Sequence, residues 1–595
     1  MASIPTAGVG PETGSRAGAI LTTSASLAAL EHAFVAAVRT AKTADPLAPV
    51  LVVVGSHLQH IYLRRLLAHE LAAVANVRFV TLMDLAGELS LPDGSAGSAG
   101  GHPSLPLPDG AHIPLLEQVI AEQRAPAHGD AGLADAGMVH AVAASLRDLR
   151  EGGIVGALVR TASPRPWLRA LAATATAYRA ALTPFTDATR RTEQAAAATP
   201  AQVAAAVQRM APDTVQVLIF GIYDVNALQL RMLEGLARVL PARLFLSWSA
   251  AAEPFAFAQQ TVDRLRQRGF RLRPLDDGPA SRGPRASRAV FSCAARQAEI
   301  EETVRRVLED LAAGVPAGEI AILHRMDPVY DELICGVLDR AAVPHYRSAG
   351  QPVRRSTVGR AALNLLQLLY SEPRRGALLE LLSLPGIDLG WIETTSAARL
   401  TPRPARWEAL SKELGLVKGW AEFDSVLTFH REHAARGDDE RAAESIAAAD
   451  ELHAVVSSLA AAAERALAAA AWQEHAGTFL ELLALLLPAA ADSQAMAAIA
   501  DRIRKLAVLD RAATRGGGVA ATPERFRQAA ETAIRQAIVS GGYFQRSGVF
   551  VGNVMSARML RFRRVYVTGC AERVFPPVIR QDPLLLDAER ERINR

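Results

Sequence analysis

What most constrains the fold of this 595-residue chain is the alternation of short, β-branched apolar runs with helical stretches. PVLVVVG (Pro49–Gly55) is followed by the helical HLQHIYLRRLLAHELAAV and then by a second apolar run, VRFVTL. Strand, helix, strand in that order predicts a parallel pair with the helix as its crossover. The pattern returns in VQVLIFG (Val215–Gly221) and RLFLSW (Arg243–Trp248), separated by a helix around Gln229–Val239.

Between these runs the character changes. Leu91–Gly110 is punctuated by Gly, Pro, Ser and Asp and is expected to be an exposed, mobile loop. From Leu115 to about Met210 the pattern is Ala-rich and helical, so the first sheet is expected to resume after a helical insertion. A second punctuated stretch, Leu275–Ser287, precedes a new α/β unit that opens with AVFSC (Ala289–Cys293) and an amphipathic helix. That helix presents Ile300, Val304, Val307, Leu308 and Leu311 on one face. EIAILH (Glu319–His324) reads as its next strand, and VFVGNV (Val549–Val554) and RVYVTG (Arg564–Gly569) as late returns after a nearly continuous helical stretch from about Ala361 to Gln536. The expected fold class is α/β, with two parallel units each interrupted by a mainly helical insertion. The expected segments are 1–112, 211–285 (first unit), 113–210 (first insertion), 286–370, 546–595 (second unit) and 371–545 (second insertion).

Abundant Ala and only 5% aromatic residues suit closely packed helices. With 65 basic and 61 acidic residues the net charge is only +4, so any nucleic-acid affinity must come from local patches. Cys293, Cys335 and Cys570 lie far apart without CxxC spacing, which fits a reducing, cytoplasmic setting. The most apolar stretches, Leu459–Trp472 and Phe479–Ala491, carry Glu464, Arg465 and Glu481, so no membrane span is expected. The first twenty residues, with Glu12 and Arg16, lack the order of a secretion signal.

Two sheets each carrying a helical insertion resemble the plan of superfamily 1 helicases of the UvrD type, and local phrases sharpen the likeness. VRFVTLMDLAGEL resembles the Thr-Phe-His-x-Leu-Ala segment that touches DNA, with Thr81, Leu85 and Ala86 matched and Met83 in place of His. EIAILHRMDPVYDELICGVLDRAAVPHYR resembles the Ala-Val-Leu-x-Arg segment and its helix, ending in Val343-Pro344-His345-Tyr346; it aligns Arg325 with an arginine that reaches nucleotide phosphate. VMSARMLRFRRVYVTGCAERVFP resembles the stretch from Ser-Ala-Lys-Gly-Leu-Glu-Phe to Gly-x-x-Glu-Gly-x-Phe-Pro.

Nucleotide chemistry is missing from this plan. A helicase needs a Walker A lysine among backbone amides and a Walker B Asp-Glu for Mg²⁺ and water. The four lysines, Lys42, Lys412, Lys418 and Lys505, follow Ala41, Ser411, Val417 and Arg504, so no Gly-Lys-[Ser/Thr] exists. The Walker A position near Ile20–Ser26 reads ILTTSAS, and Phe220-Gly221 stand where the acidic pair belongs, although Gln229 matches the family's following Gln. A helicase plan without ATP chemistry resembles the AddB/RecC family. Further phrases of that kind are Gly221-Ile222-Tyr223 to Gln229, and Phe575-Pro576 followed by DPLLLDAERERIN with Asp582, Leu585, Leu586, Asp587 and Arg590 in register.

The resemblance implies a catalytically silent, DNA-binding subunit working beside a motor-bearing AddA/RecB-like partner in double-strand-break repair and recombination; a helical interaction scaffold without DNA contact is the alternative. AddB-like chains continue into a PD-(D/E)XK exonuclease, but Thr40, Leu410, Leu416 and Ile503, two before each lysine, are not acidic. No catalytic residue is assigned, and Mg²⁺ or an iron–sulfur cluster would belong to a nuclease region past Arg595, so that the sequence reads as a fragment or a shortened form. Thr81, Arg558, Arg561, Arg563 and Arg564 are the candidate DNA contacts, with MSARMLRF expected at the strand's carboxyl edge, facing DNA. Arg325 and Gln229 are read as relics of a nucleotide site. RLRQRGFRLRP (Arg264–Pro274) is read as a solvated charged edge, the His57/His60 and His430/His433 pairs lack a third metal ligand, and Cys570 beside Glu572 lacks an adjacent His.

Overall fold

The computed structural model describes residues 18–71, 73–91, 104–123, 136–160, 166–250, 253–275, 287–325, 328–393, 399–434, 440–491, 493–513, 518–544, 548–577, 582 and 584–594. In chain order the strands are β1 (Ile20–Ser24), β2 (Val50–Val54), β3 (Val77–Thr81), β4 (Leu105–Pro106), β5 (Phe185–Thr186), β6 (Gln216–Phe220), β7 (Ala242–Ser247), β8 (Arg271–Pro274), β9 (Ile320–His324), β10 (His345–Pro352), β11 (Ile538–Gly541), β12 (Val549–Asn553) and β13 (Arg564–Val567). The fold is mixed α/β, and the strands sort into two larger sheets, β3-β2-β6-β7-β1-β8 and β11-β10-β12-β9-β13, and one small pair, β4-β5.

Every pairing in the first sheet is parallel. Its central strands are apolar without alternation because both faces are covered: all five residues of β2 are buried, and the helices α1 (Leu27–Ala41) and α2 (His57–Glu70) cross back between strands. Phe34 of α1 sets its ring edge-on to Phe220 and Phe245, filling the middle of this layer. The second sheet is parallel except at β11, which runs antiparallel to β10. These two strands lie outside the sequence reading: β10 reads HYRSAGQP, a half-buried, polar strand with no apolar run to announce it.

Other departures have simple causes. Leu105, at the end of the stretch expected to be an exposed loop, is buried, and Leu105–Pro106 pairs with Phe185–Thr186; residues 92–103 lie outside the described residues. Ala289–Cys293 forms no strand, and Val290 is 98% exposed. In the helix Arg296–Ala312, Ile300, Val304 and Val307 are buried, but Leu308 turns outward and Thr303 takes its place on the inner face.

The helical segments 112–182 and 357–536 share one hydrophobic core, running from Leu115 and Leu171 through Trp407, Leu452 and Trp472 to Phe526, whereas Ala195, Val203 and Val207, late in the expected first insertion, pack in the core of the first sheet. The carboxyl segment docks on it too: Leu585 is buried there, and Asp582 accepts from Ser145 at 2.8 Å and from Arg590 at 2.6 Å. Arg590 also reaches Asp148 at 3.1 Å, so the DPLLLD phrase ties the chain's last helix to the helix Ala136–Glu151. Among the described residues one helical stretch, Ala443–Ala468, is long and apolar enough to cross a membrane; its Leu452, Val455, Val456 and Leu459 are buried in this core.

Candidate functional site: the cleft between the two sheets

In a parallel sheet, ligands meet loops at the carboxyl ends of the strands. At the carboxyl end of β1 only Ala25 and Ser26 separate strand from helix. The Ser26 amide donates to Ser24 Oγ at 3.0 Å, and Ser26 Oγ accepts from the Ala29 amide at 3.3 Å, so this helix start is capped from within. A phosphate cradle needs a longer loop with free amides. At the end of β6, Phe220 is wholly buried, and Gly221 turns the chain with φ +72°.

Opposite this edge stands the loop that follows β12. Met559, with φ +57°, is buried in the hydrophobic core of the first sheet. A Cβ on Gly221 would lie 3.0 Å from both Met559 Cγ and Gln59 Nε2, so glycine there permits the close approach. Gln59, buried on α2, accepts from the Gly55 amide at 2.9 Å and donates to the Arg558 carbonyl at 3.3 Å. The Arg558 guanidinium lies 5.3 Å from the centre of the Tyr223 ring and donates to Met555 Sδ at 2.8 Å. Burial pushes the Tyr223 hydroxyl up to about 12, with Arg558 opposing.

Arg561 spans the two units. Its Nη1 sits 2.9 Å from Glu31 Oε2; the Glu31 side chain is 2% exposed, that of Arg561 57%. Tyr62 on α2 donates to the other oxygen of Glu31. The hydrogen bond to Glu31 raises the Arg561 pKa, while burial raises that of Tyr62, helped by the same carboxylate. Around this triad Leu58, Ile61 and Tyr62 pack on Leu323, Phe550 and Leu560 of the second unit. The MSARMLRF loop does follow the carboxyl end of its strand, and there Arg558, Met559 and Arg561 make contacts with the first unit.

Beyond this contact the second sheet holds a buried polar cluster. His324, last residue of β9, is 3.3 Å from Asp331, which also pairs with Arg347 of β10. Burial alone would push the Asp331 carboxyl up; the His324 hydrogen bond and the Arg347 charge outweigh it and hold it below its ordinary value. Arg325 is exposed just past β9, and its carbonyl is hydrogen-bonded by the His324 ring.

The other sequence candidates are dispersed. Thr81 is the cap of α3 (Leu82–Leu89): its hydroxyl accepts from the Asp84 amide at 3.1 Å, and the Asp84 carboxylate accepts from the Thr81 amide at 2.9 Å. Gln229 plays the Asp84 part for the helix Ala227–Val239, accepting from the Asn226 amide at 3.1 Å. Arg564 pairs with Asp310 at 3.0 Å, whereas the Arg563 side chain is exposed without a carboxylate among the described residues. The four arginines Arg558, Arg561, Arg563 and Arg564 thus have different surroundings. His60 stacks on Phe79, His430 bonds Ser445 and His433 bonds the Phe429 carbonyl; among the described residues no three potential ligands come together. Cys570 is exposed, its pKa raised by burial of the thiol and by Glu299.

Sequence reading missed Glu31, Gln59 and Tyr62, and took Tyr223 only as part of a family phrase. A signal existed for Glu31: in LAALEHAFVAAV it stands three before Phe34 and four after Leu27, on the apolar stripe of α1. A charge on a buried stripe calls for a partner. No protein-family model matches this chain, and no curated protein matches it in sequence.

Proposed function

We propose that the chain is a non-hydrolytic, DNA-handling unit, descended from a two-sheet motor and acting beside a motor-bearing AddA/RecB-like partner in an AddAB/RecBCD-type helicase–exonuclease of the cytoplasm. The observation that carries the non-hydrolytic part is the cleft between the sheets, closed by Met559 over Gly221 and by the Arg561–Glu31 pair. ATP-driven motors of this plan work by opening and closing around a nucleotide, and contacts that join the two sheets support a unit that does not. The two-residue β1–α1 turn and the buried Phe220 support the same reading. The DNA part rests on the helicase-like and AddB-like phrases together with arginine-rich surfaces.

Fluorescence anisotropy of labelled duplex and tailed DNA tests the reading, with salt varied and Mg·ATP present or absent. Salt-sensitive binding indifferent to ATP is expected. Absence of DNA binding at low salt would leave the chain a helical interaction scaffold, and the proposal would fail.

A further inference from the structure

The amino edge of the first sheet carries an arrangement that neither the closed cleft nor the core explains. On β7, β1 and β8 the registers Ile20↔Arg243, Ile20↔Arg271 and Thr22↔Arg273 set Arg243, Arg271 and Arg273 on one face of three adjacent strands. Arg271 and Arg273 are exposed, and no carboxylate among the described residues pairs with any of the three. Arg243 is half-buried: its Nε donates to Thr22 Oγ1 at 2.9 Å and its guanidinium lies 5.1 Å from the centre of the Phe245 ring. Burial lowers its pKa, and the charge of Arg273 lowers it further.

Charges on an edge strand have an ordinary use, which is to stop the edge from pairing with another chain. That accounts for Arg271, Arg273 and Pro274 on β8, the outermost strand. It does not account for Arg243, which stands on β7, two strands inward, where a half-buried cation without a carboxylate costs free energy and also feels the like charge of Arg273 across the intervening strand. An anion from outside the chain would relieve both costs. The cations in this set are all arginines, whose planar fork chelates phosphate oxygens. Arg271 and Arg273 are two residues apart on one strand, about 6.6 Å, and point to the same face, so both forks are available to one phosphate backbone.

We propose that this arginine face, Arg243, Arg271 and Arg273, docks the phosphate backbone of DNA. The inference rests on the DNA-handling reading above and gives it a surface, on the opposite edge of the sheet from the closed cleft. Contact is with phosphates, so binding is independent of base sequence.

The test uses the whole chain and labelled duplex DNA of two unrelated sequences, with salt titrated. R271E/R273E is compared with R271K/R273K and the wild type, folding being checked by circular dichroism and thermal melting. The charge-reversed variant is expected to bind about tenfold or more weakly, with a log-affinity against log-salt slope shallower by about two, roughly one per lost contact; the lysine variant should keep the wild-type slope. Wild-type binding with unchanged affinity and slope in a folded R271E/R273E would overturn this surface and leave the DNA-handling reading standing. No DNA binding by the wild type would overturn both. Binding of poly-glutamate at the same residues in preference to DNA would make the face a site for acidic protein and overturn the proposal.

Discussion

At the carboxyl edge of the first sheet, arginines arriving from the second unit are answered: Arg561 by Glu31, and Arg558 by the Tyr223 ring and Met555. At the amino edge Arg243, Arg271 and Arg273 meet a hydroxyl, a ring and solvent, with no carboxylate among the described residues. One edge is spent on holding two units together and the other is left electrostatically incomplete. Cations in the sequence therefore say little about function until their partners are known, and the run with the less promising motif register is the one left open.

Substitutions should separate the two edges. The largest effect is expected from Gly221→Val, which puts a β-branched residue at φ +72° and drives a Cβ to within 3.0 Å of Met559 and Gln59. A loss of about 3 kcal/mol or more is expected in urea unfolding, from backbone strain and overpacking together. A stability within error of wild type would mean that the loop does not close on Gly221.

Arg561→Ala should follow, at about 2 kcal/mol, because it leaves the buried Glu31 carboxylate with Tyr62 alone, a cost reduced by the partial exposure of Arg561. In a double-mutant cycle with Glu31→Gln a coupling of about 1 kcal/mol is expected, and additivity would remove the bridge from the account.

The Asp331 cluster adds a pH signature. Since the folded pKa of Asp331 is depressed, its contribution is present above the unfolded carboxylate value of about 3.9 and is lost as pH falls through the lower, folded value. Asp331→Asn should flatten the acid limb of a urea-midpoint profile below about pH 4, an effect on the order of 1 kcal/mol; an acid limb identical to wild type would contradict it.

The smallest effect belongs to the amino edge. Arg271→Ala with Arg273→Ala should change stability by no more than about 0.5 kcal/mol, as relief of like-charge repulsion offsets lost packing. A loss as large as that of Arg561→Ala would show that these arginines have a structural partner after all.

The sheets were legible in the sequence because their central strands are unbroken apolar runs, and the long helical stretches because their periodicity is sustained. Strands β10 and β11 were not, since a half-buried pair at a sheet margin needs no continuous apolar run. The residues that close the cleft were hidden for a different reason. Glu31 and Arg561 are 530 positions apart, and no local pattern couples them. Thr81 and Gln229 are legible twice over, as motif positions and as helix caps, and in the structure their side chains serve the caps.

The central proposal, that the chain handles no nucleotide because contacts such as Met559 over Gly221 and Arg561 with Glu31 join its two sheets, is tested most directly by calorimetric titration of the chain with Mg·ATP at millimolar concentration, followed by an ATPase assay with and without DNA. No saturable heat and no turnover above background are expected. Stoichiometric, saturable binding, or DNA-stimulated hydrolysis that survives repurification, would contradict it.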